Sequence, residues 1–135
     1  MTDSNEPLNR RQSEILALVP PGTPVVILNL LRFRDQAAYP EEEESCSGRE
    51  AYRRYSQVAL RTISAVGGSV IFSGKCSGSL IGPADEIWHA IFLVRYPSTA
   101  AFRSMLAMPE YRAAVRHRAA AIEDSRLTPI TPQAA

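Results

Sequence analysis

The stretch from Glu86 to Met105 constrains the fold most, because a long apolar strand pattern in it leads directly into a helix start. Within it, the run Ile87–Tyr96 is too apolar for a strand that has one face in water. Pro97 cannot continue the strand, and Ser98 is a favoured N-cap for a helix through Met105. The stretch therefore predicts a buried strand followed closely by a helix.

Apolar periodicity and turn residues divide the rest of the chain into further helices and strands. Ser47 and Glu50 have capping-box spacing, in which the Ser caps a helix and the Glu reaches back to the cap residue. Gly67-Gly68 ends that helix, since glycine adopts the left-handed conformation at low cost. The predicted elements are a leading helix with Asn5 as its cap and Pro20-Pro21-Gly22 at its end, a strand over 24–33, a helix over 47–66, strands over 69–76 and 87–96, helices over 98–105 and 109–123, and a last strand over 125–131.

After the leading helix, the order of elements is βαββαβ, which is typical of a ferredoxin-like α+β fold. This topology makes an antiparallel sheet that carries both long helices on one face. The other face is normally wet, but the strands 24–33 and 87–96 leave few polar residues for it. Two identical sheets that pack together would cover this face. We therefore expect a homodimer that forms through the sheet faces.

Several blocks of the sequence stand in an order that is familiar from one protein family. They are NLLRFRD at 29–35, SGREAYRRY at 47–55, VGG at 66–68, EIW at 86–88, LVRYPSTAAFRSM at 93–105 and PEYRAAVRHRAAAIEDSRL at 109–127. Together these blocks resemble the domain-of-unknown-function family 1330. That family belongs to the dimeric α/β barrel superfamily, so the resemblance also implies a ferredoxin-like fold and a dimer, but no particular activity. His89 stands where members often have an acid, so no carboxylate role carries over to that position.

Composition and charge argue against several classes of function. A chain of 135 residues fits one domain over 1–135, in which we expect 1–6 and 132–135 to be flexible tails. A net charge of +1 gives no electrostatic basis for binding nucleic acid or an anionic membrane. The polar N-terminus does not resemble a signal peptide, and no apolar run approaches the ~20 residues of a membrane span. Cys46 and Cys76 form no metal motif, so we predict a cytoplasmic protein with reduced thiols and no metal or cofactor.

No motif in the sequence names a reaction, since it lacks a P-loop, a dinucleotide-binding glycine motif, a nucleophile elbow and an HExxH motif. Candidate site residues are instead spread over several elements. Asn29 interrupts the first apolar strand, either as a structural amide bonded to backbone or as a group that points into a pocket. Tyr52 and Tyr55 lie on the inward stripe of a helix, as core residues or as pocket-lining hydroxyls. The acidic run from Glu41 to Glu44 is interpreted as a solvated loop.

Four further candidates lie in the third strand and the last helix. Trp88, the only Trp, and His89 are neighbours on a strand, so they point to opposite faces and at most one of them faces a pocket. His89 is either a satisfied interior residue or a general base. His117 and Arg118 belong to a basic cluster that is either a solvated helix face or a binding spot for an anion. Arg118 falls on the apolar stripe, where a guanidinium needs an acid, a carbonyl or a ligand anion.

Two functional hypotheses follow from these residues. The first is a cofactor-independent enzyme for proton transfer, isomerisation or oxygenation of a small, partly apolar acid. In it, His89 is the base, Asn29 and a tyrosine hold an oxyanion, and Arg118 binds the acid group. The second is a non-catalytic, ligand-binding or stress-associated homodimer that uses the same pocket. The ligand-binding residues predicted for either function are Tyr52, Tyr55, Trp88, His117 and Arg118.

One branch of the superfamily that the resemblance brings into view degrades haem. That branch is expected to carry an Asn in the first strand, a Trp in the third strand and a His on the helix that follows. Asn29 and Trp88 match the first two positions, but the helix over 99–108 contains no His. We therefore disfavour haem degradation.

Overall fold

The computed structural model of the chain describes residues 7–41 and 45–134. These residues form one four-stranded sheet and four helices, and every neighbouring pair of strands is antiparallel in the order β2-β3-β1-β4. The predicted α+β class and βαββαβ order are confirmed. The elements are α1 Arg10–Leu16, β1 Val25–Phe33, α2 Gly48–Ala65, β2 Ser69–Lys75, β3 Ala90–Tyr96, α3 Thr99–Ala107, α4 Pro109–Ala121 and β4 Ile122–Ile130.

The strand register determines which residues face the helices. Asn29 in β1 lies opposite Phe92 in β3 and Leu127 in β4, so these three side chains share one face. Phe92 stacks on Tyr52 of α2, which identifies that face as the one covered by helices. Along β1, the apolar residues on the covered face, which include Val25, Ile27 and Leu31, are buried. The apolar residues on the other face, which are Val26, Leu28 and Leu30, are half-buried.

The main core lies between the sheet and the helices α2, α3 and α4. The predicted inward stripe of α2 is confirmed, because Tyr55, Ala59 and Ile63 are all buried in it. Phe102 and Met105 of α3 belong to the same cluster. Burying a large apolar side chain stabilises a fold by about 1.5–3 kcal/mol, so this cluster is the main stabilising contact between the layers.

The leading helix begins later than the sequence pattern predicted. Asn9, and not Asn5, is its N-cap: Asn9 Oδ1 accepts from Gln12 N at 2.8 Å, and Gln12 Oε1 accepts from Asn9 N at 3.0 Å. This reciprocal pair satisfies two backbone groups at once, which explains why the helix starts there. Asn5 itself lies outside the described residues, as do 1–6, residues 42–44 of the acidic run and residue 135. Residues 132–134 follow β4 without helix or strand.

The second helix starts as predicted but uses its acidic residue differently. Ser47 Oγ accepts from Glu50 N at 3.0 Å, which confirms Ser47 as the cap. The Glu50 carboxylate does not reach back. It binds the Arg53 guanidinium at 2.7 and 2.8 Å, because a charged partner one turn along the helix competes with a neutral backbone N–H.

The third strand is shorter at its start than the apolar pattern predicted. Its ladder with β1 begins at Ala90, opposite Leu31, and the three residues before it form no strand. His89 still donates its N–H to Leu31 O at 2.8 Å. The next donor of β1, Phe33 N, turns to the His89 Nδ1 atom at 2.9 Å. The His89 side chain thus replaces the backbone acceptor that a longer β3 would have supplied. Because the β1–β3 ladder does not include Trp88 and His89, the alternation of side chains between the two sheet faces does not extend to them.

The last strand lies at an edge of the sheet, which is where a strand tolerates proline. Pro129 pairs with Ile27 of β1 and has no strand on its other side within the described residues. The boundary before it differs from the prediction, because α4 ends at Ala121 and β4 begins at Ile122 with no loop between them. Among the described helices, none has the length and apolar character that crossing a bilayer requires.

Candidate ligand-binding site

A cavity of about 770 Å³ lies between the helix-facing side of the sheet and the helices. Its floor is formed by strand residues such as Ile27, Asn29 and Phe92, and its walls by side chains of α2, α3 and α4. Most of the lining is apolar or aromatic, which is typical of small-molecule sites. The polar groups in the lining are Gln12, Asn29, Tyr52, Tyr55, Ser56, Ser73, Tyr96, Tyr111, Arg112 and Arg118.

Tyr52 is the centre of the aromatic wall. Its ring stacks on Phe92 with centroids 5.9 Å apart and planes at 18°. It also contacts Phe33 and Tyr55 at centroid distances of 5.3 Å in tilted geometry. Burial raises the pKa of the Tyr52 phenol to about 12, although the positive charge of Arg118 acts in the opposite direction. At neutral pH the phenol is therefore a hydrogen-bond donor and not an anion.

Two further phenols of the cavity, those of Tyr55 and Tyr111, are buried and form a pair. The Tyr55 and Tyr111 hydroxyl oxygens are 2.9 Å apart and form a buried hydrogen bond. Burial, and then the neighbouring Tyr111, raises the pKa of Tyr55 above its ordinary value. In such a pair, one phenol donates to the other and the second keeps a proton to donate. The described residues contain no acceptor for that remaining proton, so the pair presents one further donor to the cavity.

Arg118 has a buried donor atom that makes no hydrogen bond within the described part of the chain. Among residues 7–41 and 45–134, its Nη2 is the sole buried side-chain polar atom without a hydrogen-bond partner. Arg118 lines the same cavity as Tyr52 and Tyr55, and its positive charge opposes the effect of burial on the pKa values of both phenols. A buried charged donor left unpaired is costly, so this geometry favours an anionic ligand.

Asn29 lies on the cavity floor, and its side-chain amide also makes a hydrogen bond to the backbone of its own strand. Its Nδ2 donates to Ile27 O at 3.3 Å, a long bond between residues on the same face. The carbonyl oxygen of the amide accepts no hydrogen bond from the described residues. Both alternatives drawn from the sequence thus apply, since Asn29 has a local backbone contact and also lines the cavity.

Trp88 and His89 do not line the cavity. His89 stacks on Phe33 with ring centroids 6.0 Å apart, and its Nδ1 lone pair accepts the Phe33 N–H. Trp88 donates from Nε1 to Glu86 at 3.1 Å and lies under the Arg126 guanidinium, 5.0 Å from the ring centroid. With the Nδ1 lone pair occupied, the neutral imidazole has its proton on Nε2 and no free lone pair for a general base.

His117 also points away from the cavity, although it is next to Arg118. Its Nδ1 is 2.5 Å from the Tyr39 hydroxyl, and the two rings meet edge to face. The guanidinium groups of Arg54 and Arg116 lie 5.6 and 5.8 Å from the centre of the Tyr39 ring. Adjacent residues on a helix are about 100° apart, so the basic cluster divides between two environments.

Two groups of cavity residues were not predicted as site residues. Tyr111 lies seven positions before Arg118 and therefore on the same face of α4. That spacing was the signal in the sequence for a shared site. Leu8 and Gln12 had no such signal, because they come from outside the βαββαβ unit.

Among residues 7–41 and 45–134, the cavity lining contains two arginines and no Asp, Glu or His. The described parts of the chain contain no group of three or more His, Cys, Asp or Glu side chains that could bind a metal ion together. The buried donors available to a ligand include the Arg118 guanidinium, the Tyr52 phenol and one proton of the Tyr55–Tyr111 pair. The site therefore suits a ligand that is rich in acceptors and negatively charged.

The strand order, the antiparallel pairing and the helices on one face define a ferredoxin-like α+β protein. Residues 29–128 match the sequence profile of the family described as domain of unknown function (DUF1330). The chain belongs to that family, as the resemblance of its sequence blocks indicated.

Solved structures agree with this assignment. A protein of unknown function from Rhodopseudomonas palustris is 38% identical, with a TM-score of 0.86 over 95% of this chain and 96% of that one. A dabb family protein with a ferredoxin-like fold from Mesorhizobium loti is 15% identical, with a TM-score of 0.53 over 82% of this chain and 98% of that one. Hydroxynitrile lyase from Passiflora edulis is 12% identical, with a TM-score of 0.57 over 85% and 98%. The last two similarities show the fold alone. No curated protein matches the chain.

Proposed function

We propose that this protein binds a small, partly apolar organic anion in the cavity between its sheet and helices. The observation that carries the proposal is the buried Arg118 Nη2 atom, which has no partner in the described chain and lies near two neutral phenols. An aromatic carboxylate would fit these groups, because its ring would stack against Tyr52 and Phe92 while its oxygens accept from Arg118.

The test compares an anion with its neutral isostere. We expect naphthoate to bind more tightly than naphthamide in calorimetry. Arg118→Gln should weaken naphthoate binding by about tenfold or more, since a hydrogen bond to a charged group contributes roughly 1.5–3 kcal/mol. Binding of naphthamide should change little.

Arg61→Gln is the matched control, because Arg61 is exposed on α2, does not line the cavity and binds the Gln57 carbonyl. Equal affinity of the acid and the amide for the wild-type protein would contradict the proposal. An Arg118→Gln variant that binds naphthoate as well as the wild type would do the same.

A cofactor-independent enzyme is the second candidate. The observation that favours it is the Tyr52 phenol, which stays protonated beside Arg118 and could hold an oxyanion together with Asn29. The His89 base of this hypothesis lies outside the cavity, and the described lining offers no other imidazole and no carboxylate. We therefore place anion binding first. Turnover of a bound acid that survives His89→Ala would support an enzyme without a protein base.

We also propose that the protein is a homodimer that forms through the sheet face opposite the helices. Leu28, Leu93 and Phe72 lie in line across three strands on that face. Phe72 is 55% exposed, and no described element covers it. Apolar side chains aligned in this way favour association with an identical surface.

A further inference from the structure

Part of the cavity lining comes from the residues that lead into α1. Pro7, Leu8 and Gln12 contribute to it together with the sheet and the long helices, and Pro7 and Gln12 are exposed, so this part of the lining reaches the protein surface. We call residues 7–12 the N-terminal strap. The strap lies before residues 29–128, which match the family profile.

Among the described residues, the firm anchor of the strap lies at its C-terminal end. Beyond its C-terminal end, Leu16 and Val19 are buried at 3% and 5% exposure and belong to the main core. Within the strap, Leu8 is half-buried against that core and Gln12 is exposed. Few apolar contacts therefore oppose a local opening of the strap, while the following turn stays in place.

Within the described residues, the Arg103 guanidinium connects α3 to α1. Arg103 donates from Nη1 to Ser13 Oγ at 3.3 Å and from Nη2 to Ser13 O at 3.4 Å. These are long, partly buried hydrogen bonds. A helix of seven residues is too short to be stable by itself, so the closed position depends on such contacts.

We propose that the N-terminal strap is the specificity-determining cover of the cavity, with Leu8 as the residue that limits ligand size and slows ligand exchange. The specificity role rests on the proposed anion binding, whereas the covering role does not. Leu8 is the apolar contact of the strap with the core, so shortening it should favour the open state and widen the mouth.

The covering role is tested without a ligand. Ser56, a half-buried cavity residue, is replaced by Cys in a Cys46→Ser, Cys76→Ser background, and its labelling by a neutral maleimide is timed. Leu8→Ala should speed labelling by about fivefold or more. Leu18→Ala, at an 81% exposed leucine outside the cavity, should leave the rate unchanged. Equal labelling rates for the Leu8→Ala variant and its parent would contradict the covering role of the N-terminal strap.

The specificity role is tested with two probes of different size. Leu8→Ala should raise the affinity for anthracene carboxylate relative to naphthoate by about fivefold, with faster release of both. Faster labelling with an unchanged size ratio would overturn the specificity role. If neither anion binds the wild-type protein while Leu8→Ala still speeds labelling, the proposed function is wrong and the cover stands.

Discussion

At the scale of single residues, the cavity combines a buried cationic donor with several neutral phenols. Arg118 has a buried donor atom without an acceptor in the described chain, and three buried or half-buried phenols keep their protons. Tyr96 belongs to this set of phenols, since burial raises its pKa and its hydroxyl donates to Met105 Sδ at 3.5 Å. Neutral donors around the Arg118 guanidinium make the site selective for charge before shape is considered.

The Tyr52 phenol predicts a pH dependence of stability. Its pKa is raised from 10.0 to about 12 in the folded protein, so the stability it contributes is complete below pH 10 and is lost as pH rises towards 12. At about pH 11, this single group should lower the free energy of unfolding by roughly 1.4 kcal/mol relative to neutral pH. Urea unfolding of wild type and Tyr52→Phe at neutral and alkaline pH measures the difference. Parallel pH curves for the two proteins would contradict it.

At the scale of elements, the start of α2 is held unusually close to its neighbours. A Cβ atom added to Gly48 would lie 2.1 Å from the Arg34 carbonyl oxygen and 2.9 Å from that of Ala121. Gly48 N also donates to Asp35 O at 3.3 Å. The first turn of α2 therefore packs directly on the backbone that follows β1 and ends α4, and only glycine fits between them.

Gly48→Ala should consequently be strongly destabilising. Backbone atoms, unlike side chains, cannot move aside alone, so we expect a loss of about 3 kcal/mol or more in the free energy of unfolding. Gly74→Ala in β2 is the control, because the nearest atom there belongs to the Phe72 ring at 3.2 Å. Thermal or urea unfolding measures both variants. A Gly48→Ala protein as stable as the Gly74→Ala protein would show that the first turn of α2 can shift freely.

At the scale of the whole molecule, the two faces of the sheet have different roles. One face forms the core and the cavity with the helices, and the other presents half-buried and exposed apolar side chains. The cavity lies between the sheet and the helices, so a dimer through the other face would leave each ligand site within one subunit.

Leu28→Arg should convert the proposed dimer into a folded monomer. It would place an arginine opposite Leu93, and a charge without a partner in an apolar interface costs several kcal/mol. Leu18→Arg, at an exposed position away from the sheet, should remain dimeric. Sedimentation velocity at micromolar concentration distinguishes the two. A wild-type protein that sediments as a monomer would contradict the dimer.

The sequence by itself determined the order of elements and the inward faces of the helices. Helical periodicity and caps depend on neighbouring residues, so Ser47 at the start of α2 and Arg118 on the inner face of α4 could be predicted locally. The same holds for Tyr52 and Tyr55, which the stripe of α2 placed towards the sheet.

Only the tertiary structure decided which candidates share the cavity. Trp88 and His89 lie outside it because the β1–β3 ladder ends at Ala90, and strand alternation holds only while a partner strand continues. Tyr111 and Leu8 entered the site through contacts between distant segments, which no local pattern records. The apolar pattern around β3 thus specified that a strand forms there. Hydrogen bonds between His89 and β1 determined at which residue that strand begins.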